Sequence, residues 1–172
     1  MMGGGKSTIG RLLAKATGWP YVDNDELVRR SHGTTARQIV AEDGEAQMRA
    51  AEADALALGV EVAAPAVIGV GAGTILHPAN RDRLRAGGIV VWLRADEAVL
   101  ESRVMGADHR PFLDRHGGTW IRDAIAERDP LYASVADIVI DTGRMPAEES
   151  TAEILARLST YSACRVALGQ DR

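Results

Sequence analysis

"MMGGGKSTIGRLLAKATGWPYVDND", residues 1–25, is the stretch on which the fold turns. Three glycines, Gly3, Gly4 and Gly5, run into Lys6, Ser7 and Thr8. Phosphate-binding loops read G-x-x-x-x-G-K-[ST] and follow a buried strand. Counting back five places from Gly5 puts the first glycine one position before Met1. Over residues 7–17 the apolar Ile9, Leu12 and Leu13 recur on one helical face, and Gly18 supplies a stop. Residues 20–22 read as a short strand that enters Asp23-Asn24-Asp25. Glycine N–H groups can turn toward phosphate oxygens, and the following helix adds its positive end. In such a loop Lys6 would reach between two phosphates and the Ser7 hydroxyl would hold Mg2+. The alternative is a flexible glycine-rich start, and a helix of the right polarity beginning at Ser7 argues against it.

Outward from this segment, apolar runs alternate with amphipathic ones. Helices are expected over 25–31, 35–41 and 44–58, the last stopping at Gly59. A buried strand over 66–70 enters the turn Gly71-Ala72-Gly73. A helix at 78–86, a strand at 89–93 and a helix at 96–105 follow. Residues 106–118 are polar and rich in arginine and histidine, and suit a lid. A helix over 119–128, a last strand at 138–140 and a helix at 147–158 complete the pattern. Short apolar strands, each followed by a helix, predict an α/β domain with a parallel sheet and helices on both faces. The expected domain spans 1–158, and 159–172 reads as a disordered tail. Ligands then belong at the carboxyl ends of the strands.

Composition narrows the function. With 46% hydrophobic and 26% charged residues the chain has the make-up of an ordinary globular domain. A net charge of −4 gives no support to a nucleic-acid or anionic-membrane partner. Lys6 and Lys15 are the only lysines, which singles out the one inside the glycine run. Cys164 stands alone, so an intramolecular disulfide and a cysteine zinc site are excluded, and a reducing cytoplasm fits. No apolar run reaches transmembrane length. His32, His77, His109 and His116 lack metal-ligand spacing. The expected partners are small molecules acting on a monomer, with no nucleic acid and no membrane.

Four further patterns carry chemistry. Asp23 and Asp25 sit two apart beyond a strand, so both carboxylates can face one side. One can serve a metal shell and the other a substrate hydroxyl, whereas Asp25 as a helix N-cap is the ordinary alternative. Glu45, Arg49 and Glu52 lie at i, i+4 and i+7 on one helical face. They form either a surface ion-pair ladder or an arginine held toward an anionic substrate. Gly71-Ala72-Gly73 after a buried strand allows close ligand approach, as would any tight turn. Arg110 in the polar excursion and Arg128 ahead of Pro130 can act on anions or can be solvated.

In this order the patterns resemble the shikimate kinase family. That family carries a P-loop, D-x-D, G-E-x-x-F-R-x-x-E, a G-G-G turn, R-P-L in a lid, R-x-P-L-Y and a late R-x-P. The matching residues are Gly5-Lys6-Ser7, Asp23/Asp25, Gly44-Glu45…Arg49…Glu52, Gly71…Gly73, Arg110-Pro111, Arg128…Pro130-Leu131-Tyr132 and Arg144…Pro146. The resemblance covers Met1 to about Leu158 and implies phosphorylation of the shikimate 3-hydroxyl by Mg2+ and ATP, on the route to aromatic amino acids. It implies that Lys6 and Ser7 serve the phosphates and Mg2+, with Asp23 assisting through water. Asp25 would orient and deprotonate the acceptor hydroxyl. Arg49, steadied by Glu52, and Arg128 would grip the shikimate carboxylate beside Gly71, Ala72 and Gly73. Arg110 would stabilise the transferring phosphoryl group, and Arg103 and Arg144 would flank adenine.

Three positions depart from the family pattern. Met48 replaces a phenylalanine. Ala72 replaces the middle glycine: with a positive φ there its methyl would cost about 1 kcal/mol, and otherwise it narrows the pocket. That leaves open a related cyclic polyol acid, or gluconate, as substrate. The third departure is the absent first strand and first loop glycine, central to a sheet of order 2-3-1-4-5. Its loss should leave an apolar slot, and the expectation is that the natural start lies upstream of Met1, or else that the chain is a non-catalytic binding remnant.

Overall fold

The structure is a computed structural model that describes residues 2–105 and 119–167. Helix α1 (Lys6–Thr17) starts at Gly5, whose φ of +90° suits glycine, and ends where the Gly18 N–H caps Ala14 O. Strand β1 (Tyr21–Asp23) leads into α2 (Asn24–His32), α3 (Ala36–Asp43) and α4 (Glu45–Val60). These three helices bury Leu27, Val28, Ile39, Val40, Met48 and Ala55 among themselves. Met48, at 5% exposure, therefore fills an apolar core position. Strand β2 (Val67–Gly69), a 3-10 turn (Thr74–Leu76), α5 (Pro78–Gly87), β3 (Val91–Arg94) and α6 (Glu97–Met105) follow. Then come α7 (Trp120–Ala133), β4 (Ile138–Asp141) and α8 (Ala147–Ala167).

Among the described residues all strand pairing is parallel, but the strands form two separate pairs. Tyr21, Val22 and Asp23 of β1 register with Val67, Ile68 and Gly69 of β2, while Val91–Arg94 register with Ile138–Asp141. Between the pairs lies a cavity of about 1290 Å³ lined by Ile68 and Val70 on one side, Val91 and Leu93 on the other. This is the expected apolar slot: the family order without its central strand leaves strands 2-3 and 4-5. Ile9 and Leu13 of α1 pack beside it on Ile138, Ile140 and Ile154.

Two boundaries differ from expectation by more than two residues. Helix α7 does not stop at Arg128 but continues through Pro130 to Ala133. Proline forfeits one helical hydrogen bond. The last turn is instead held by Ser134 N–H bonding Pro130 O and by the Tyr132 hydroxyl bonding Ala72 O at 2.8 Å. The closing helix, expected over 147–158, runs to Ala167. Tyr161 OH donates to Asp137 Oδ1 at 2.9 Å and pins these turns to the strand layer. The lid segment 106–118, with Arg110, lies outside the described residues.

Candidate active site

The glycine loop is fixed from behind. Arg103 Nη1 donates to Gly3 O at 3.2 Å, and Thr142 Oγ1 lies 3.2 Å from Gly4 O and 3.1 Å from Arg94 O. Gly3, like Gly5, has a positive φ, which allows the short loop to fold before α1 begins. Lys6 and Ser7, in the first turn of α1, both turn to Asp23. Lys6 Nζ donates to Oδ1 at 2.9 Å and Ser7 Oγ to Oδ2 at 3.1 Å. Thr8 is exposed beside them.

Asp23 is the N-cap of α2, accepting from Asp25 N at 3.1 Å. Capping thus falls to Asp23 rather than Asp25. Tyr21 OH adds a further bond to Asp23 Oδ2 at 2.6 Å. Burial would raise the Asp23 pKa, but hydrogen bonds from Lys6 and Tyr21 and the lysine charge prevail and hold it at about 2. Burial, together with the bond to Asp23, pushes the Tyr21 phenol well above its ordinary value. Asp25, by contrast, is exposed, lines the same cavity and has no side-chain partner among the described residues.

Arg49 bridges Glu52 at 2.8 Å and Glu45 at 2.7 Å, as the helical spacing foretold. Burial opposes its charge, but the two glutamates outweigh burial and raise its pKa. Its guanidinium lies close against Gly73, where any Cβ would overlap Nη1 and Cζ. A Cβ at Gly71 would stand 2.8 Å from Glu52 Oε1. Neither glycine has a positive φ, so close approach accounts for both. Ala72 has no positive φ either; its methyl is unstrained and narrows the turn. Arg128 is buried at 8% exposure and shares one face of α7 with Tyr132, an i, i+4 pair. Tyr132 stacks on Trp92 at 5.6 Å, and burial pushes its phenol up to about 12.

Lys6, Asp25, Arg49, Gly71, Ala72, Gly73 and Arg128 therefore line one cavity. Arg103 and Arg144 are each anchored at the end of β4, Arg103 lining the cavity and Arg144 not: Arg103 Nη2 donates to Thr142 O at 2.7 Å, and Arg144 Nε lies 3.2 Å from Asp141. Thr142 and Tyr21 join the site without belonging to any of the sequence motifs. The alternation of Tyr21-Val22-Asp23 already puts the phenol and the carboxylate on one side of the strand, whereas Thr142 carries no such signal.

Among the described residues no group of three histidines, cysteines or carboxylates gathers as a metal cage. Ser7 Oγ and Asp23 Oδ2 do converge, and a hard ion such as Mg2+ takes one or two protein oxygens and completes its shell with water and phosphates. The residues present fit that mode.

A glycine loop opening a helix beside the carboxyl ends of parallel strands, with its lysine held by a strand-end carboxylate, defines the P-loop class of phosphate-binding α/β proteins. The family model for shikimate kinase matches residues 2–159. A shikimate kinase of Pseudomonas aeruginosa (strain LESB58) is 39% identical over 158 residues, 91% of each chain. One from Symbiobacterium thermophilum is 38% identical, covering 92% of each. Among solved structures, the shikimate kinase of Acinetobacter baumannii in complex with shikimate superposes with a TM-score of 0.86 at 32% identity, covering 93% of this chain and 89% of that one. The chain belongs to the shikimate kinase family.

Proposed function

We propose that this chain transfers the γ-phosphoryl group of ATP to the 3-hydroxyl of shikimate, giving shikimate 3-phosphate and ADP. The observation that carries this reading is the shared cavity. The open carboxylate of Asp25 faces the space bounded by Lys6 of the glycine loop and by Arg49 and Arg128. Family membership, with a structural relative that binds shikimate, supports the same substrate.

In this reading the loop N–H groups and Lys6 hold the ATP phosphates, while Arg103 and Arg144 border the base. Arg49 and Arg128 take the shikimate carboxylate through charge-assisted bonds, with Glu52 keeping the Arg49 fork in plane. Gly71, Ala72 and Gly73 bring backbone against the ring. Asp25 accepts the proton of the acceptor hydroxyl as its oxygen bonds to the γ-phosphorus and the bond to the ADP oxygen breaks. Lys6 and, from the lid, Arg110 offset the charge on the moving group. Ser7 and Asp23 would hold Mg2+, which neutralises phosphate charge when bound. The protein acts as a monomer in the cytoplasm, on the route to aromatic amino acids; the lone Cys164 suits that compartment.

A coupled ADP-release assay with shikimate and with gluconate tests the reading. Turnover is expected with shikimate alone, and Asp25→Asn should lower kcat by at least about a hundredfold while ADP still binds. Turnover with gluconate but not shikimate would overturn the substrate assignment. Near-normal turnover of Asp25→Asn would remove Asp25 from the mechanism.

A further inference from the structure

We infer that Tyr21 is a positioning residue that sets the orientation of the Asp23 carboxylate, and through it the Mg2+ dependence of nucleotide binding. The inference rests on the reading that the glycine loop binds Mg2+-nucleotide.

Among the described residues Asp23 receives four donors, two on each oxygen. Oδ1 takes Lys6 Nζ at 2.9 Å and Asp25 N at 3.1 Å; Oδ2 takes Ser7 Oγ at 3.1 Å and Tyr21 OH at 2.6 Å. Lys6 is needed at the phosphates and Ser7 at the metal, so both partners must be able to exchange Asp23 for ligand. The backbone N–H of Asp25 fixes Oδ1 alone. Tyr21 is the only side-chain donor of the set that nothing in the reaction calls away, and it holds Oδ2, the oxygen that Ser7 shares.

The ring is built to stay put. Tyr21 begins β1 and lies between α1 and β2, where two glycines leave it room. A Cβ at Gly10 would overlap its Cε2 and lie 3.0 Å from Cδ2, and a Cβ at Gly69 would stand 2.5 Å from the hydroxyl oxygen. Methyl groups are thus missing on both sides of one aromatic side chain, from two different elements. Phenylalanine would fill the same space. The hydroxyl is the part that the packing does not require, and it lands on a carboxylate at the phosphate loop.

Groups that bond a metal-site carboxylate from behind change metal affinity by about ten- to a hundredfold when removed. Without the phenol, Oδ2 keeps only the serine, and the carboxylate can rotate away from the direction Ser7 needs. The experiment measures ADP affinity by calorimetry with and without Mg2+, for the wild type, Tyr21→Phe, Asp23→Asn and the double variant. In the wild type Mg2+ should tighten ADP binding. In Tyr21→Phe that enhancement should fall by about tenfold, with Mg2+-free ADP affinity within about twofold and shikimate KM unchanged. In the Asp23→Asn background the same change should do nothing more, because Tyr21 acts through Asp23. Gly69→Ala, which pushes on the hydroxyl without deleting it, should reproduce the loss of enhancement.

An enhancement in Tyr21→Phe within twofold of the wild type overturns the proposal, as does an equal loss of ADP affinity with and without Mg2+, which marks a merely structural residue. A wild type that binds ADP with no Mg2+ effect, or binds none, overturns the nucleotide-site reading instead, and this inference with it.

Discussion

Gly73→Ala offers the sharpest separation of fold from function. The new methyl would overlap Nη1 and Cζ of Arg49, and even Nε would stand only 3.0 Å away. The obstructed atoms are the far end of a flexible side chain, so the turn at Gly73 keeps its path while the guanidinium withdraws by about 2 Å to reach ordinary contact. It then leaves the position in which Glu45 and Glu52 hold it at 2.7 and 2.8 Å. A hydrogen bond to a charged group contributes about 1.5–3 kcal/mol, so loss of the arginine's grip on the substrate carboxylate should raise shikimate KM by about 10- to 150-fold. The KM for ATP should stay within about twofold. Glu52, at 8% exposure, loses a partner, so Tm should fall by a few degrees, about 2–4 °C per kcal/mol for a chain of this size. Steady-state kinetics with each substrate varied in turn, beside a thermal melt, reads all three. An unchanged shikimate KM would mean that Arg49 does not meet substrate from its place over Gly73. As a control, Ala72→Gly removes an unstrained methyl and should cost at most about 1 kcal/mol.

Tyr132→Phe keeps the stack on Trp92 but releases Ala72 O, and should cost about 1 kcal/mol in denaturant unfolding while raising shikimate KM several-fold. Thr142→Val removes the hydroxyl whose single proton Gly4 O and Arg94 O share, so the ATP KM should rise by about five- to tenfold with shikimate KM unchanged. The Asp23 pKa is lower in the folded chain, about 2, than in the unfolded one, about 4. Its contribution is therefore present above about pH 4 and is lost as pH falls toward 2, on the order of 1 kcal/mol after solvent screening. Asp23→Asn should flatten that part of the Tm–pH profile, and an unaltered acid limb would show that the carboxylate contributes nothing to it.

Local chemistry was readable in the sequence wherever one element decides it. Gly5 and Gly18 bound α1, and the spacing of Glu45, Arg49 and Glu52 yields the ladder seen. Contacts between distant elements were not readable. Pro130 argued for a helix end because the anchor of that turn, Ala72 O, lies 60 residues away in sequence. The final turns of α8 looked like a tail because Asp137, which holds Tyr161, belongs to the entrance of another strand. The ordinary alternative for Asp25, a helix cap, falls to the neighbouring carboxylate of Asp23. The glycine sockets of Tyr21 depend on α1 and β2 closing over one ring, which no single window of sequence displays.

The divided sheet gives the glycine loop a second task. Its carbonyls are tied to the β3–β4 half through Arg103 and Thr142, and its lysine and serine to the β1–β2 half through Asp23. The loop is a stitch across a seam that has no backbone ladder among the described residues. Because Lys6 and Ser7 exchange Asp23 for ligand, an anion in the loop trades the tie to the β1–β2 half for its own contacts, so nucleotide affinity and the cohesion of the two halves are thermodynamically linked. Substitutions deep in either half can then change nucleotide binding without touching the nucleotide, and bound nucleotide in turn changes the cohesion of a sheet it never enters.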